Sequence, residues 1–209
     1  MKNKGKVIGI IILFLAGLSL LLYPLVANQW NTYRQSRLIS EYETTVSTEN
    51  SEGAIDYEKE WEKANAYNAA LLPSILPDSF AIAAASDEPG DEYMSCLNIL
   101  NDGMMGYVEI PVIDVQIPIY HYTTDESLEK GAGHLFGSSL PVGGESTHAI
   151  LSAHRGLPSA KLFTDLNLVE EGDIFYLHIL NQTLAYEVDQ IQTVLPDQTE
   201  SLAIEEGKD

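Results

Sequence analysis

Residues 7–26 contain no charged side chain and are dominated by Ile, Leu, Val and Phe. As a helix rising about 1.5 Å per residue, such a run spans about 30 Å, the hydrocarbon thickness of a bilayer. Lys2, Lys4 and Lys6 precede it, and the first acidic residue is Glu41. Positive flanks stay on the cytoplasmic side, so everything after Asn28 is expected outside the cell membrane. A cleaved leader is the alternative. The only candidate cleavage box, Leu25-Val26-Ala27, has a bulky Leu where a small residue is required, so the run is read as an uncleaved single-pass anchor.

The anchor leaves a chain with an unusual charge. Of 209 residues, 11 are Lys or Arg and 31 are Asp or Glu. Without the three lysines before the run, 8 basic residues face 31 acidic ones, a net charge of −23 for the exported part. Such a surface repels polyanions, so nucleic acid is not an expected partner. It is also expected to stay soluble beside an anionic membrane and not to lie on it. One cysteine excludes an intramolecular disulfide framework and a Cys-rich zinc site, and no cofactor is expected.

Beyond the anchor the periodicity changes twice. Trp30, Tyr33, Ile39, Tyr42 and Val46 recur at mostly helical spacing, and the polar run of residues 47–53 is expected to break that helix. A second helix from about Ile55 carries Tyr57, Trp61, Ala64 and Leu71 on one face. Residues 73–91, with three prolines and a small-residue run, read as an irregular loop. After Gly103 the period becomes two. Strands are expected at residues 107–110 and 115–120, broken at Pro111, with a short, fully apolar strand at 148–151. Residues 159–166 read as a helical turn or two capped by Ser159, and residues 174–180 and 184–191 as a hairpin about 181–183. Three units follow: anchor (1–27), helical arm (28–102) and a strand-rich domain (103–209) that fits a small barrel better than a doubly wound sheet.

Five histidines are candidates for chemistry. His121 and His178 fall in strand patterns, His134 lies among glycines and His148 starts a strand; each reads first as structural. No pair has the i, i+4 spacing of a metal-binding helix. His154 differs, because it follows an apolar strand and precedes Arg155-Gly156. A strand exit beside a glycine can both position a catalytic group and leave it reachable. Cys96 lies among apolar neighbours with no cation between Glu92 and Tyr107 to lower its pKa, and reads as a small core hydrophobe.

These strands carry a resemblance. Gly106-Tyr107-Val108-Glu109-Ile110-Pro111, Ile117-Pro118-Ile119-Tyr120 and Gly131-Ala132-Gly133-His134-Leu135 resemble the opening strands of sortases. Residues 138–148, then Leu151-Ser152-Ala153-His154-Arg155-Gly156-Leu157-Pro158-Ser159-Ala160-Lys161-Leu162-Phe163, are similar to the class C, pilin-assembling branch. The resemblance implies a mostly β fold, the sortase-type eight-stranded β-barrel, outside the membrane of a Gram-positive bacterium. It implies cysteine transpeptidation: cleavage of an LPxTG-like sorting signal and transfer of the acyl group to a lysine of a pilin subunit. His154 would be the family's acid–base histidine. Asp78-Ser79-Phe80 would be the lid, with Ser79 where the family's Asp-Pro-aromatic segment has Pro. In the family a later strand carries the Cys nucleophile and another the Arg that stabilises the oxyanion. Residues 196–208 resemble the loop before that strand, so the closing strands are expected to be missing here and the chain inactive alone. A non-catalytic membrane-anchored peptide-binding module and a hydrolase using Cys96 with His154 remain the rival readings.

Overall fold

The computed structural model describes residues 2–52, 55–71, 91–195, 198 and 200–208. Helix α1 (Lys2–Glu52) carries the apolar run and the first part of the arm as one continuous element, with Pro24 inside it. The break expected at residues 47–53 does not occur by Glu52. Polar residues cost an exposed helix little, and the Ser47 hydroxyl donates back to the Glu43 carbonyl at 2.7 Å. Past the apolar run, α1 buries Gln35, Ile39 and Tyr42 and half-buries Val46, a stripe at spacings of three and four. Helix α2 (Tyr57–Ala70) starts where Asp56 accepts from the Lys59 amide at 3.2 Å, and buries Tyr57 and Ala64 of the expected face. The short α3 (Asp91–Ser95) brings the arm to the domain.

Six strands form one sheet: β1 (Met104–Ile110), β2 (Val115–His121), β3 (Ala132–His134), β4 (Leu151–Ser152), β5 (Ile174–Ile179) and β6 (Gln182–Glu187), in the order β4-β3-β2-β1-β5-β6. β1 and β2 are antiparallel across a 3-10 turn, Pro111–Ile113, closed by Asp114 in the left-handed region (φ 51°). β2 and β3 are parallel, joined by α4 (Asp125–Lys130), whose Thr124 cap accepts from the Ser127 amide. Here glycine is required: a Cβ on Gly131 would run into the Pro118 carbonyl, and one on Gly133 into that of Tyr122. Val108, Ile117, Ile119, Leu177 and Ile179 lead the core, with Leu140 and Ala160 packed beside them from loops.

The sheet is open and six-stranded, resembling a sortase-type fold without a closed barrel; among the described residues β4 pairs only with β3, and β6 only with β5. Three expectations need correcting. The apolar strand at 148–151 shrinks to Leu151–Ser152. Serine hydroxyls take over its amide side, with the His148 amide donating to Ser139 Oγ and the Ile150 amide to Ser138 Oγ. The carbonyls of His148 and Ile150 still accept from the Ser139 and Leu135 amides, and the segment is half-buried. No helix forms over 159–166. Arg155 and Leu162 pair as an antiparallel bridge, Leu162 is left-handed (φ 39°), and only a 3-10 turn at Leu166–Leu168 follows. The β5–β6 turn falls on Leu180-Asn181, one residue early, with Leu180 at φ 50°, and β6 ends at Glu187.

Candidate active site

The open side of the sheet encloses a cavity of about 1070 Å³ between β6 and the 147–151 segment. Its apolar walls include Val108, Leu151, Phe163, Leu177 and Leu184, and Asp173, Glu187 and Asp189 stand at its polar side. Thr147, His148, Thr183, Gln190 and Gln192 line it as well, so apolar walls alternate with polar groups that could orient a bound ligand.

His154 does not line this trough but lies next to residues that do. It follows Leu151 by three residues, and its carbonyl accepts from the amide of Phe163, so it sits between two lining residues. Its half-buried side chain has no hydrogen-bond partner among the described residues. Gly156, at φ 87°, turns the chain just beyond, and Arg155 Nη2 donates to Asn167 Oδ1 at 2.9 Å. This is the one histidine whose ring is not committed to the fold.

The other four are committed. His134 is fully buried. Its Nε2 donates to the Ser139 carbonyl at 2.7 Å and its Nδ1 accepts from the Tyr93 hydroxyl at 2.7 Å, which fixes a neutral tautomer. Burial lowers its pKa to about 4. His121 contacts the carbonyls of Gly103, Tyr93 and Cys96, and burial again moves its pKa down. His178 stacks on Tyr107 at 4.2 Å and bonds Glu109 Oε2 at 2.9 Å, a cross-strand pair between β5 and β1. His148 Nδ1 donates to the Ala203 carbonyl, and with the Ser146 amide to Lys208 carbonyl bond it fastens residues 203–208 to the trough's edge.

Cys96 is not brought to His154. It is buried in the core beside Tyr93, its thiol donates to the Glu92 carbonyl at 3.3 Å, and desolvation pushes its pKa up despite Lys63. Asp78 and Phe80 lie outside the described residues. The Tyr93–His134–Ser138–Ser139 network was not found in the sequence; a tyrosine and a histidine 41 residues apart give no periodic signal of their meeting. Among the described residues no three His, Cys, Asp or Glu side chains converge on a common point.

Comparison with known proteins decides the family. Residues 108–209 match the family described as Sortase domain. The solved structure of Streptococcus pneumoniae sortase C is 45% identical, with a TM-score of 0.67, covering 82% of this chain and 83% of that one. The chain belongs to the sortase family. Sortase C-1 from Actinomyces oris is 42% identical over 72% of this chain and 82% of its own, with a TM-score of 0.66, and these likenesses support the class C branch. Sortase D of Bacillus subtilis is 31% identical over 104 residues, 50% of each chain. The chain spans about half to three-fifths (50% and 60%) of the first sequence relatives it matches. Its N-terminal apolar helix is consistent with a single-pass membrane anchor.

Proposed function

We propose that this sortase works in pilus assembly as a membrane-anchored, outward-facing cysteine transpeptidase. It binds an LPxTG-like sorting signal in the trough. The thiolate of the family's nucleophile strand, which Cys96 does not replace and without which these residues are inactive, attacks the Thr–Gly carbonyl. The Gly amine leaves, and the acyl group passes from the thioester to the amine of a pilin lysine. His154 protonates the amine that leaves as the thioester forms, then removes a proton from the incoming lysine amine. Asp78 and Phe80 are assigned to a lid over the groove. The observation that carries the reading is the uncommitted His154 beside two residues that line the trough, Leu151 and Phe163, in a chain 45% identical to a sortase C. The reaction needs a thiolate beside His154, and Cys96, buried with a raised pKa, does not supply it.

The test is a graft. The closing strands of Streptococcus pneumoniae sortase C, joined to this chain, should produce transfer of an LPxTG-like peptide to an amine acceptor. His154→Ala in that graft should lower the rate by about 10² to 10⁴, the usual worth of a general acid, while Cys96→Ala leaves it unchanged. Loss of turnover on Cys96→Ala alone would establish the hydrolase reading. Peptide binding without turnover would establish the peptide-binding module.

A further inference from the structure

The membrane-proximal end of the domain is defined by α1. The apolar run ends at Val26, and α1 continues without a break into the stretch that docks on the sheet. Docking begins at once: Ala27 and Asn28 are already half-buried, and the Asn28 side-chain oxygen is covered by the domain with no hydrogen-bond partner. Asn31 Nδ2 donates to the Ser159 carbonyl at 2.6 Å. Asn31 lies five residues past Val26, about 8 Å along a helix axis. The headgroup layer on each side of a bilayer is about 5–8 Å thick. The loop after His154 is therefore held level with the headgroups.

A second observation marks the same level. On the undocked side of α1, Trp30 and Tyr33 are 65% and 60% exposed, with ring centroids 6.2 Å apart. Exposed Trp and Tyr one turn beyond an apolar run form an interfacial belt. Trp30 is adjacent in sequence to the residue that grips Ser159.

The surface at this level presents apolar side chains among exposed polar ones, Asp114, Arg155 and Asn167. Pro158 is exposed and Leu157 half-exposed. Lys161 Nζ donates to the Ile113 carbonyl at 2.8 Å, tying the loop to the β1–β2 turn, where Val112 is 51% exposed. Arg155 reaches Asn167 in the next turn, where Leu168 is 59% exposed. The charge of −23 belongs to the exported part as a whole. At this end Arg155 and Asp114 are exposed with opposite charges and Lys161 is paired with Asp165 at 3.1 Å, so the end is close to neutral.

We propose that the end of the domain formed by residues 155–161, the 166–168 turn and the β1–β2 turn rests on the surface of the bilayer that α1 spans, with Pro158, Val112 and Leu168 reaching its headgroup layer. This rests on α1 being a membrane anchor, and not on the chemistry assigned to His154. Tethering by α1 supplies proximity, so the apolar contacts need only orient the domain, and His154 opens beside the membrane surface.

The full 209-residue chain in Cys96→Ala background, reconstituted in phosphatidylcholine vesicles, tests it. Single cysteines at Pro158→Cys, Leu168→Cys and Gln182→Cys carry a bimane fluorophore, and the lipids carry a headgroup nitroxide. Gln182 is the control, since the β5–β6 turn beside it contacts Tyr42 and Trp61 at the opposite end of the sheet. Quenching at 158 and 168 should exceed that at 182 several-fold and persist when phosphatidylglycerol is added. Equal quenching at all three overturns the proposal. Separately, Asn31→Cys with Ser159→Cys should form a disulfide in the vesicles. Failure of that crosslink overturns the pose itself.

Discussion

Replacing Tyr42 by Phe removes one oxygen and leaves the ring in place. That hydroxyl is buried and joins three elements. It donates to the Met105 carbonyl at 3.0 Å and accepts from the Leu180 amide at 2.7 Å. Neither partner sits in a regular ladder position. The β1–β2 register slips between Met104 and Gly106, which leaves Met105 as the extra residue of a bulge, and Leu180 is the left-handed residue of the β5–β6 turn. Both residues are at most 5% exposed, so water does not replace the hydroxyl. Each stranded buried group costs about 1–3 kcal/mol, so Tyr42→Phe should destabilise by about 2–6 kcal/mol, a large part of the 5–15 kcal/mol typical of a domain. Urea unfolding of the full chain in nonionic micelles, followed by Trp61 fluorescence, measures it; Trp61 bonds Asn181 in the affected turn. The exposed Tyr33→Phe is the control. Hydrogen exchange at the Leu180 amide should accelerate in parallel. A Tyr42→Phe chain within about 0.5 kcal/mol of its parent, the usual scatter of surface changes, with Leu180 equally protected, would refute the reasoning.

Two further outcomes follow from titration and burial. His134 is held neutral in the fold with its pKa lowered to about 4, so the unfolded chain binds the extra proton and stability is lost as pH falls from 6.5 toward 4; between pH 7.5 and 5 the parent should lose about 2 kcal/mol relative to His134→Gln, and a pH-independent difference would contradict this. Cys96, buried with a raised pKa, should react with maleimide far more slowly than a free thiol at pH 7.5 and at ordinary speed in urea; rapid labelling of the folded chain would contradict its placement in the core.

The parts of the fold that could be read in advance are those where side chains alternate or repeat against a single partner surface. β1, β2 and their break at Pro111 declare themselves because Val108, Ile110, Val115, Ile117 and Ile119 face one core. What stayed hidden is where side chains replace backbone partners. Ser138 and Ser139 satisfy the amides of Ile150 and His148, so an apolar run that reads as a strand is mostly loop. Leu162 and Leu180 adopt left-handed conformations that no leucine announces, which removed the helix at 159–166 and shifted the hairpin turn. The candidate site divides the same way. Position after an apolar segment and before a glycine makes His154 a candidate, whereas the commitment of the other histidines depends on partners up to 69 residues away, as for His178 and Glu109.

In the pose proposed above, the arm helix is what holds the candidate site at a fixed place above the membrane. Between Asn31 and Val46 α1 rises about 22 Å, and the seven residues of β1 extend about 23 Å. The helix therefore runs the length of the sheet, and its grips are distributed along it. Asn31 holds the Ser159 carbonyl, Gln35 the Lys130 carbonyl at the entrance to β3, Tyr42 the β1 bulge, and Glu43 accepts from the Tyr107 hydroxyl at 2.6 Å. The four grips reach three separate elements, the loop after His154, α4 and β1, so no single loosened contact frees the domain to pivot about the anchor. A tether joined to the sheet only at the domain's first residue would leave the His154 segment at any height within its reach. A helix bonded along the whole strand length transmits the depth of its apolar run directly to that segment.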